Sequence, residues 1–326
     1  MRVLILIFFI FFSLEARSIT DHYGRVVEIP DNITKIYAAS PPITMSLLAF
    51  NPDLVAGLNM KFNETQKKFV GSAANKRVVG GFFGQGKTPN FEILLSIKPD
   101  LVVMWGRMSG SDKILDKFKK FKIPVILVKN ENIYDLISQF KIYAEITDDK
   151  VRADELIAYT KKSLDLVKEM QSDLEKRKKT SYYYAQGIDG LYSECDGSFH
   201  IEPFNYAGAK NILECKMSSN YGMEKVTLES VLMGDPDVIV AMEKSFFDSI
   251  YSNPQWANLR AVKEKKVFLV PSEPLNYISR PPSFMRLLGI RWLIDSFYPS
   301  LRTKSFEDEK KEFERLFFTQ RVTDAK

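Results

Sequence analysis

At 326 residues, 45% hydrophobic and 27% charged with 16 glycines, the chain is long enough for two domains and has the make-up of an ordinary folded α/β protein. That composition excludes a disordered or fibrous chain. The net charge of +5 is spread along the chain. Its lysine clusters (Lys117, Lys119, Lys120, Lys122; Lys176, Lys178, Lys179; Lys263, Lys265, Lys266) fall on predicted helix faces or turns, so they read as solvated surface and not as a nucleic-acid footprint.

Met1 to Ala16 carries Arg2, an unbroken apolar run from Val3 to Phe12, then Ser13-Leu14-Glu15-Ala16. This is the pattern of a cleaved signal peptide over residues 1–16, too short to span a bilayer as a mature helix. No cysteine follows it, so a lipid anchor is not expected, and a periplasmic location is expected if the source is Gram-negative. Asp21 to Pro30 (DHYGRVVEIP) reads as a hairpin turning at Gly24. Ile33 to Ala39 is a strand ending at Ser40-Pro41-Pro42, before a helix from about Ile43 whose first turn tolerates proline. Leu54 to Leu58 reads as a short strand, and Gly80 to Gly86 as a loop with two aromatics.

Asn90 to Val103 (NFEILLSIKPDLVV) and Thr227 to Val240 (TLESVLMGDPDVIV) align without a gap at an offset of 137 residues. Each predicts a short helix with glutamate in its first turn, where the helix dipole favours a negative charge. Each helix stops before Pro-Asp, and a β-branched run then makes a strand buried on both faces. The duplication implies one α/β unit in each half, each with a glutamate (Glu92, Glu229) at a matching surface position; the alternative is two ordinary helix–strand turns. In the first half a helix near Ile114 to Phe121 and a strand at Val125 to Val128 follow, an order that implies parallel pairing with right-handed crossovers. From Asp148 to about Lys178 there is no proline or glycine, and apolar residues recur at helical spacing. A helix of about thirty residues would run about 45 Å at 1.5 Å per residue, enough for a strut between two lobes.

The second half opens with a strand at Ser181 to Ala185, turns at Gln186-Gly187 and Asp189-Gly190, and a strand and loop over Leu191 to His200. A short helix capped by Gly208 and the second repeat come next, then a helix at Trp256 to Leu259 and a strand at Lys266 to Val270. A loop from Pro274 to Pro282 opens the helix Ser283 to Phe297, and the tail Phe306 to Phe318 is a charged amphipathic helix with Phe313, Leu316 and Phe317 inward. The expected division is an N-terminal lobe at 17–147, a linking helix at 148–178 and a C-terminal lobe at 179–326. Cys195 and Cys215, the only cysteines, are open to either a disulfide or two free thiols.

These segments are similar to the substrate-binding proteins of ABC importers for iron complexes, haem and cobalamin, the helical-backbone class. The resemblance is carried by DHYGRVVEIP, IYAASPPITMSLLAF, the NFEILLSIKPDLVV and TLESVLMGDPDVIV pair, YYYAQGIDGLYSECDGSFH, YAGAKNI and SRPPSFMRLLGIRWL, in family order over essentially the whole mature chain. It implies two α/β lobes, each with a central parallel sheet flanked by helices, joined by one long rigid helix. It also implies a cargo cleft between the lobes and a monomer that delivers its cargo to an ABC permease dimer in the inner membrane. Glu92 and Glu229 fall where binders of this class dock on permease arginines.

A metal complex needs apolar walls and a few polar groups at the loops after the strands. Those loops supply Pro41, Pro42, Phe83, Gln85, Trp105 and Arg107 from the first lobe, and Gln186, Tyr192, His200, Tyr277 and Arg280 from the second. Arg107 and Arg280 suit an anionic chelate, because guanidinium pairs with carboxylate or catecholate oxygens in a bidentate way. Trp105 offers a stacking face, and His200 and Tyr277 are the side chains that could reach a metal. A bare ion is not expected, since two histidines far apart cannot build a converging ligand set. No intrinsic cofactor is expected. An iron siderophore or similar chelate is the first reading of the cargo; a nickel chelate, haem, cobalamin and molybdate or tungstate are the alternatives. An enzyme is disfavoured because GxSxG, HExxH, P-loop, CxxC and dinucleotide fingerprints are absent. A sensor that presents cargo to a receptor would need the same cleft.

Overall fold

The computed structural model describes residues 16–83, 88–106, 110–218, 221–301 and 306–318. The expected signal segment up to residue 15, Gln85 and Arg107 lie outside them. β1 (Ala16–Thr20) and β2 (Val26–Pro30) pair antiparallel. Gly24 turns the hairpin with φ +76°, a conformation that costs glycine nothing. Asp21 fixes this turn by accepting the N–H of Tyr23 and of Arg25 at 3.0 Å, and it ties the hairpin to the first sheet through the Leu127 N–H at 3.1 Å.

In the first lobe β3 (Ile36–Ala38) leads into α1 (Pro41–Phe50), then α2 (Glu64–Val70), α3 (Phe91–Ser96), β4 (Leu101–Trp105), α4 (Ser111–Lys120) and β5 (Val125–Val128). The strands make a parallel sheet in the order β3-β4-β5. The strand expected at Leu54 to Leu58 is not formed. Ala56 donates to the Ile36 carbonyl, but Leu58 donates to that of Arg77, so the segment crosses between two partners and leaves only isolated bridges at Val55 and Leu58.

α5 (Asp135–Thr147) precedes the linking helix α6 (Lys150–Glu175). Asp148 separates them with φ +59°, and the Asp149 carboxylate caps α6 by accepting the Arg152 N–H. Its 26 residues span about 39 Å at 1.5 Å per residue.

The second lobe contains β6 (Ser181–Ala185), β7 (Tyr192–Ser193), α7 (Glu202–Tyr206), β8 (Lys210–Asn211), β9 (Glu224–Lys225), α8 (Leu228–Gly234) and β10 (Val238–Ala241), then α9 (Lys244–Ser249), α10 (Arg260–Lys263), β11 (Val267–Leu269), α11 (Arg286–Phe297) and α12 (Phe306–Phe317). Its sheet is parallel in the order β11-β10-β6-β8, with β7 and β9 as an antiparallel ribbon beside it. The helix expected at Trp256 to Leu259 starts later, at Arg260, because the earlier residues close three-residue turns on Asn253 and Trp256. Cys195 and Cys215 are bonded.

Successive strand side chains point to opposite faces, and this sorts the core. Ala38, Val103, Ile126, Tyr182, Tyr184 and Val240 face one apolar core, continuous across both lobes, with Tyr143, Leu156, Val167, Leu288 and Phe313. Tyr37, Val102 and Met104 face a second cluster with Leu94 and Phe118. Tyr183, Ile239 and Ala241 face a third with Val231 and Trp256. α12 packs back on α6, with Tyr159 against Phe313 and Phe317, and Phe318 reaches Phe69 of α2. Both lobes therefore close on one shared spine.

Candidate functional site

The two repeats build the same local object. Asn90 caps α3 by accepting the Ile93 N–H at 3.1 Å, and Thr227 caps α8 by accepting the Ser230 N–H at 3.2 Å. Glu92 and Glu229 each take the second helical position and are exposed. Neither joins an ion pair among the described residues. Each helix runs into the central part of its own sheet, through β4 in one lobe and β10 in the other.

Ligands of open α/β sheets bind beyond the carboxyl ends of the strands. Here those ends present Ser40-Pro41-Pro42 after β3, Trp105 ending β4, and Gln186 after β6. Pro41 and Pro42 are buried in the first turn of α1. Trp105 is half-buried, and its ring meets Phe199 of the other lobe edge-on at 5.7 Å. Gln186 is fully buried, with its backbone paired to Tyr192 at 2.8 and 3.0 Å. The half-buried Tyr192 ring lies where a side chain on Gly187 would stand, which is why that turn, with φ +82°, needs glycine.

Behind them lies a polar group that the sequence did not announce. The fully buried Glu194 carboxylate accepts Ser198 Oγ at 2.7 Å, Arg280 Nη2 at 2.6 Å and the Met223 N–H at 3.3 Å. Arg280 also donates to the Tyr221 carbonyl at 3.0 Å. Burial raises the Glu194 pKa, with Ser198 and Arg280 opposing the shift. His200 packs its ring on Phe199 at 4.0 Å, and its Nδ1 has no hydrogen-bond partner among the described residues. Burial holds His200 down to about 3, and the nearby Arg280 adds to the effect. The imidazole is therefore neutral near pH 7 and can donate, accept or ligate. Glu202 pairs with the buried Arg286 and accepts the Ile133 N–H of the first lobe at 2.8 Å.

Contacts join Trp105 to His200 through Phe199, and Gln186 to Tyr192, while Arg280 has a tying role, between Glu194 and the Tyr221 backbone. Two expected contacts sit elsewhere. Tyr277 is 1% exposed, with its ring against Phe306 at the start of α12, so the returning tail makes it core. Phe83 is buried in the first lobe's own apolar cluster. Among the described residues no group of three or more His, Cys, Asp and Glu side chains could hold a metal ion. Glu194 and Glu202 were missed because their arginines lie 86 and 84 residues away. No local pattern in the sequence marks either glutamate as buried.

A family model described as "Periplasmic binding protein" matches residues 72–274. The chain belongs to this family. An ABC transporter solute binding protein from Sulfurospirillum deleyianum superposes with a TM-score of 0.84 at 30% identity, covering 93% of this chain and 95% of that one. The molybdate-binding protein MolA of Haemophilus influenzae is 25% identical over 313 residues, 89% of this chain and 87% of its own. The Fe(3+)-citrate-binding protein YfmC of Bacillus subtilis is 27% identical over 226 residues, 68% of this chain and 67% of its own. This periplasmic binding protein therefore has the two-lobed fold of ABC-importer solute receptors, which work with a membrane permease. No helix among its described residues is long and apolar enough to cross a membrane.

Proposed function

We propose that the protein captures an anionic, oxygen-rich metal complex, an iron chelate first, in the gap between its lobes and hands it to an ABC permease. The observation that carries this reading is the meeting of Trp105, at one sheet's strand end, with Phe199 of the other lobe, which is backed by the neutral His200 ring with Arg280, paired to Glu194, close enough to His200 to influence it. Apolar walls with a few fixed polar atoms are what orient a small complex. Pro41, Pro42, Gln186 and Tyr192 complete the walls, and Gln85 and Arg107 remain expected contacts on segments outside the described residues. Similarity to a ferric-citrate binder supports the iron chelate. Similarity to a molybdate binder over most of the chain supports molybdate or a related oxyanion as a second reading.

Docking is through Glu92 and Glu229, one exposed carboxylate per lobe at matched positions. Two sites engaged at once act with avidity. Residues 1–16 serve as the export signal, and the Cys195–Cys215 disulfide suits the oxidising compartment that export reaches. The lobes divide at the linking helix, within 148–178.

The test is to recover the protein from the periplasm of its own cells and to analyse it for metals and by native mass spectrometry. The expected result is close to one metal per chain with its chelator. Protein that carries none, and takes none from a panel of iron chelates, haem, cobalamin, nickel–histidine and molybdate, would refute this function.

A further inference from the structure

One short stretch of the second lobe makes three contacts with the first. The Phe199 ring meets Trp105 at 5.7 Å, the Glu202 carboxylate accepts the Ile133 N–H at 2.8 Å, and the Tyr206 ring lies 6.2 Å from that of Tyr134. The stretch is braced from behind. The His200 ring packs at a tilt on Phe199 at 4.0 Å, Arg286 holds the other oxygen of Glu202, and the disulfide from Cys195 to Cys215 closes the loop that contains it. Trp105 is the last residue of β4, the middle strand of its sheet, so this contact sits at the carboxyl end of the strands where a deep ligand would lie.

We infer that Phe199 is a specificity-determining residue, filling the depth of the gap against Trp105 so that only compact metal complexes are accommodated. The inference rests on the cargo-binding reading above. Both residues are half-buried, so neither is sealed into a core. A planar macrocycle inserted between them would hold the rings about 7 Å apart, twice a contact distance of roughly 3.5 Å. These rings instead meet edge to face, at an interplanar angle of 80°. Spreading the lobes to admit such a cargo breaks the Ile133–Glu202 hydrogen bond, and Glu202 cannot follow because Arg286 holds it. Cargo therefore rests on the ring pair as a compact body. A ferric hydroxycarboxylate or a tetrahedral oxyanion meets that limit; haem and cobalamin do not.

The experiment compares wild type with Phe199→Ala and Phe199→Leu by isothermal titration with ferric citrate, molybdate and haem. Wild type is expected to bind one of the two compact ligands at least tenfold more tightly than haem. Phe199→Ala is expected to narrow that ratio at least tenfold, and Phe199→Leu to stay near wild type. A wild type that prefers haem, or a folded Phe199→Ala with an unchanged ratio, overturns the inference. If Phe199→Ala does not fold, Trp105→Ala removes the same contact from the other lobe and is held to the same ratio. Failure of wild type to bind ferric citrate, molybdate and haem overturns the inference, and failure with the whole panel named above counts against cargo binding itself; an unchanged ratio in a protein that does bind counts against the role of Phe199 alone.

Discussion

Replacing Arg152 by methionine should cost more stability than any surface change of similar size. Arg152 lies in the first turn of α6 with a side chain 10% exposed. Its Nε donates to the Phe50 carbonyl at 3.1 Å, and its Nη2 donates to the Ala49 carbonyl at 2.5 Å and the Leu316 carbonyl at 2.7 Å. Two of these acceptors close the C-terminal end of α1 and the third lies in the last turn of α12, where a cation also meets the negative end of the helix dipole. The Glu155 partner is half exposed and adds little. Stranding a buried acceptor costs about 1–3 kcal/mol, and relief of the desolvated charge offsets part of the sum. Methionine keeps the length and removes every donor, so a net loss of about 3–5 kcal/mol is expected. At roughly 2 °C per kcal/mol for a chain of this size, the melting temperature followed by circular dichroism should fall by roughly 6–10 °C. Arg152→Lys, which keeps the charge but not the fork, should fall between. A drop of less than about 2 °C for the methionine variant would refute the reasoning, because the shared spine would then not depend on this junction.

Reduction of Cys195–Cys215, or Cys195→Ser with Cys215→Ser, releases a loop with a sequence separation of 20. It should lower stability by about 3 kcal/mol, read as a lower denaturation midpoint with reductant; an unchanged midpoint would contradict it. His200 binds its proton less readily when folded, so it favours the fold above the ordinary value of 6.5, and that contribution drains away as pH falls from there toward about 3. Glu194 and Glu202, raised by burial, run the other way: their contribution is full below 4.5 and is lost as pH rises through their folded values. The difference in unfolding free energy between wild type and His200→Gln should therefore hold steady from pH 7 to 8 and change steadily between pH 6.5 and 4; parallel curves would contradict the buried neutral ring. Glu92→Ala with Glu229→Ala should leave cargo affinity within about twofold while cutting stimulation of the permease ATPase in proteoliposomes by at least tenfold, each single change having a partial effect. Full stimulation by the double variant would remove both carboxylates from the docking surface.

The sequence made the strands legible where burial on both faces leaves only apolar choices. β5 and β6 run over the residues read for them, and both repeats fold as a capped helix and a strand. Burial that depends on distant segments was not legible. Tyr277 looks like a loop aromatic free to meet cargo until α12 returns and Phe306 covers it. Arg280 looks like an anion clamp until Glu194, far away in sequence, takes its guanidinium. The long helix was read from Asp148, the left-handed residue at which α6 does separate from α5, but α5 itself went unread. Phe199 sat unnoticed beside His200, since contact with Trp105 belongs to the way two lobes meet and not to any local pattern.

Of the three tryptophans, Trp105 is half-buried at the strand end, Trp256 is 2% exposed in the second lobe's core, and Trp292 is half-buried on α11. Titration of the mature protein with ferric citrate, ferric siderophores and molybdate, followed by tryptophan fluorescence in wild type and in Trp105→Phe, therefore isolates the signal from the gap. The expected result is a saturable change for at least one ligand with a Kd below about 10 μM, roughly −7 kcal/mol, and loss of that signal in Trp105→Phe. No saturable change with any of them, or a signal that survives Trp105→Phe intact, would contradict cargo held between the lobes.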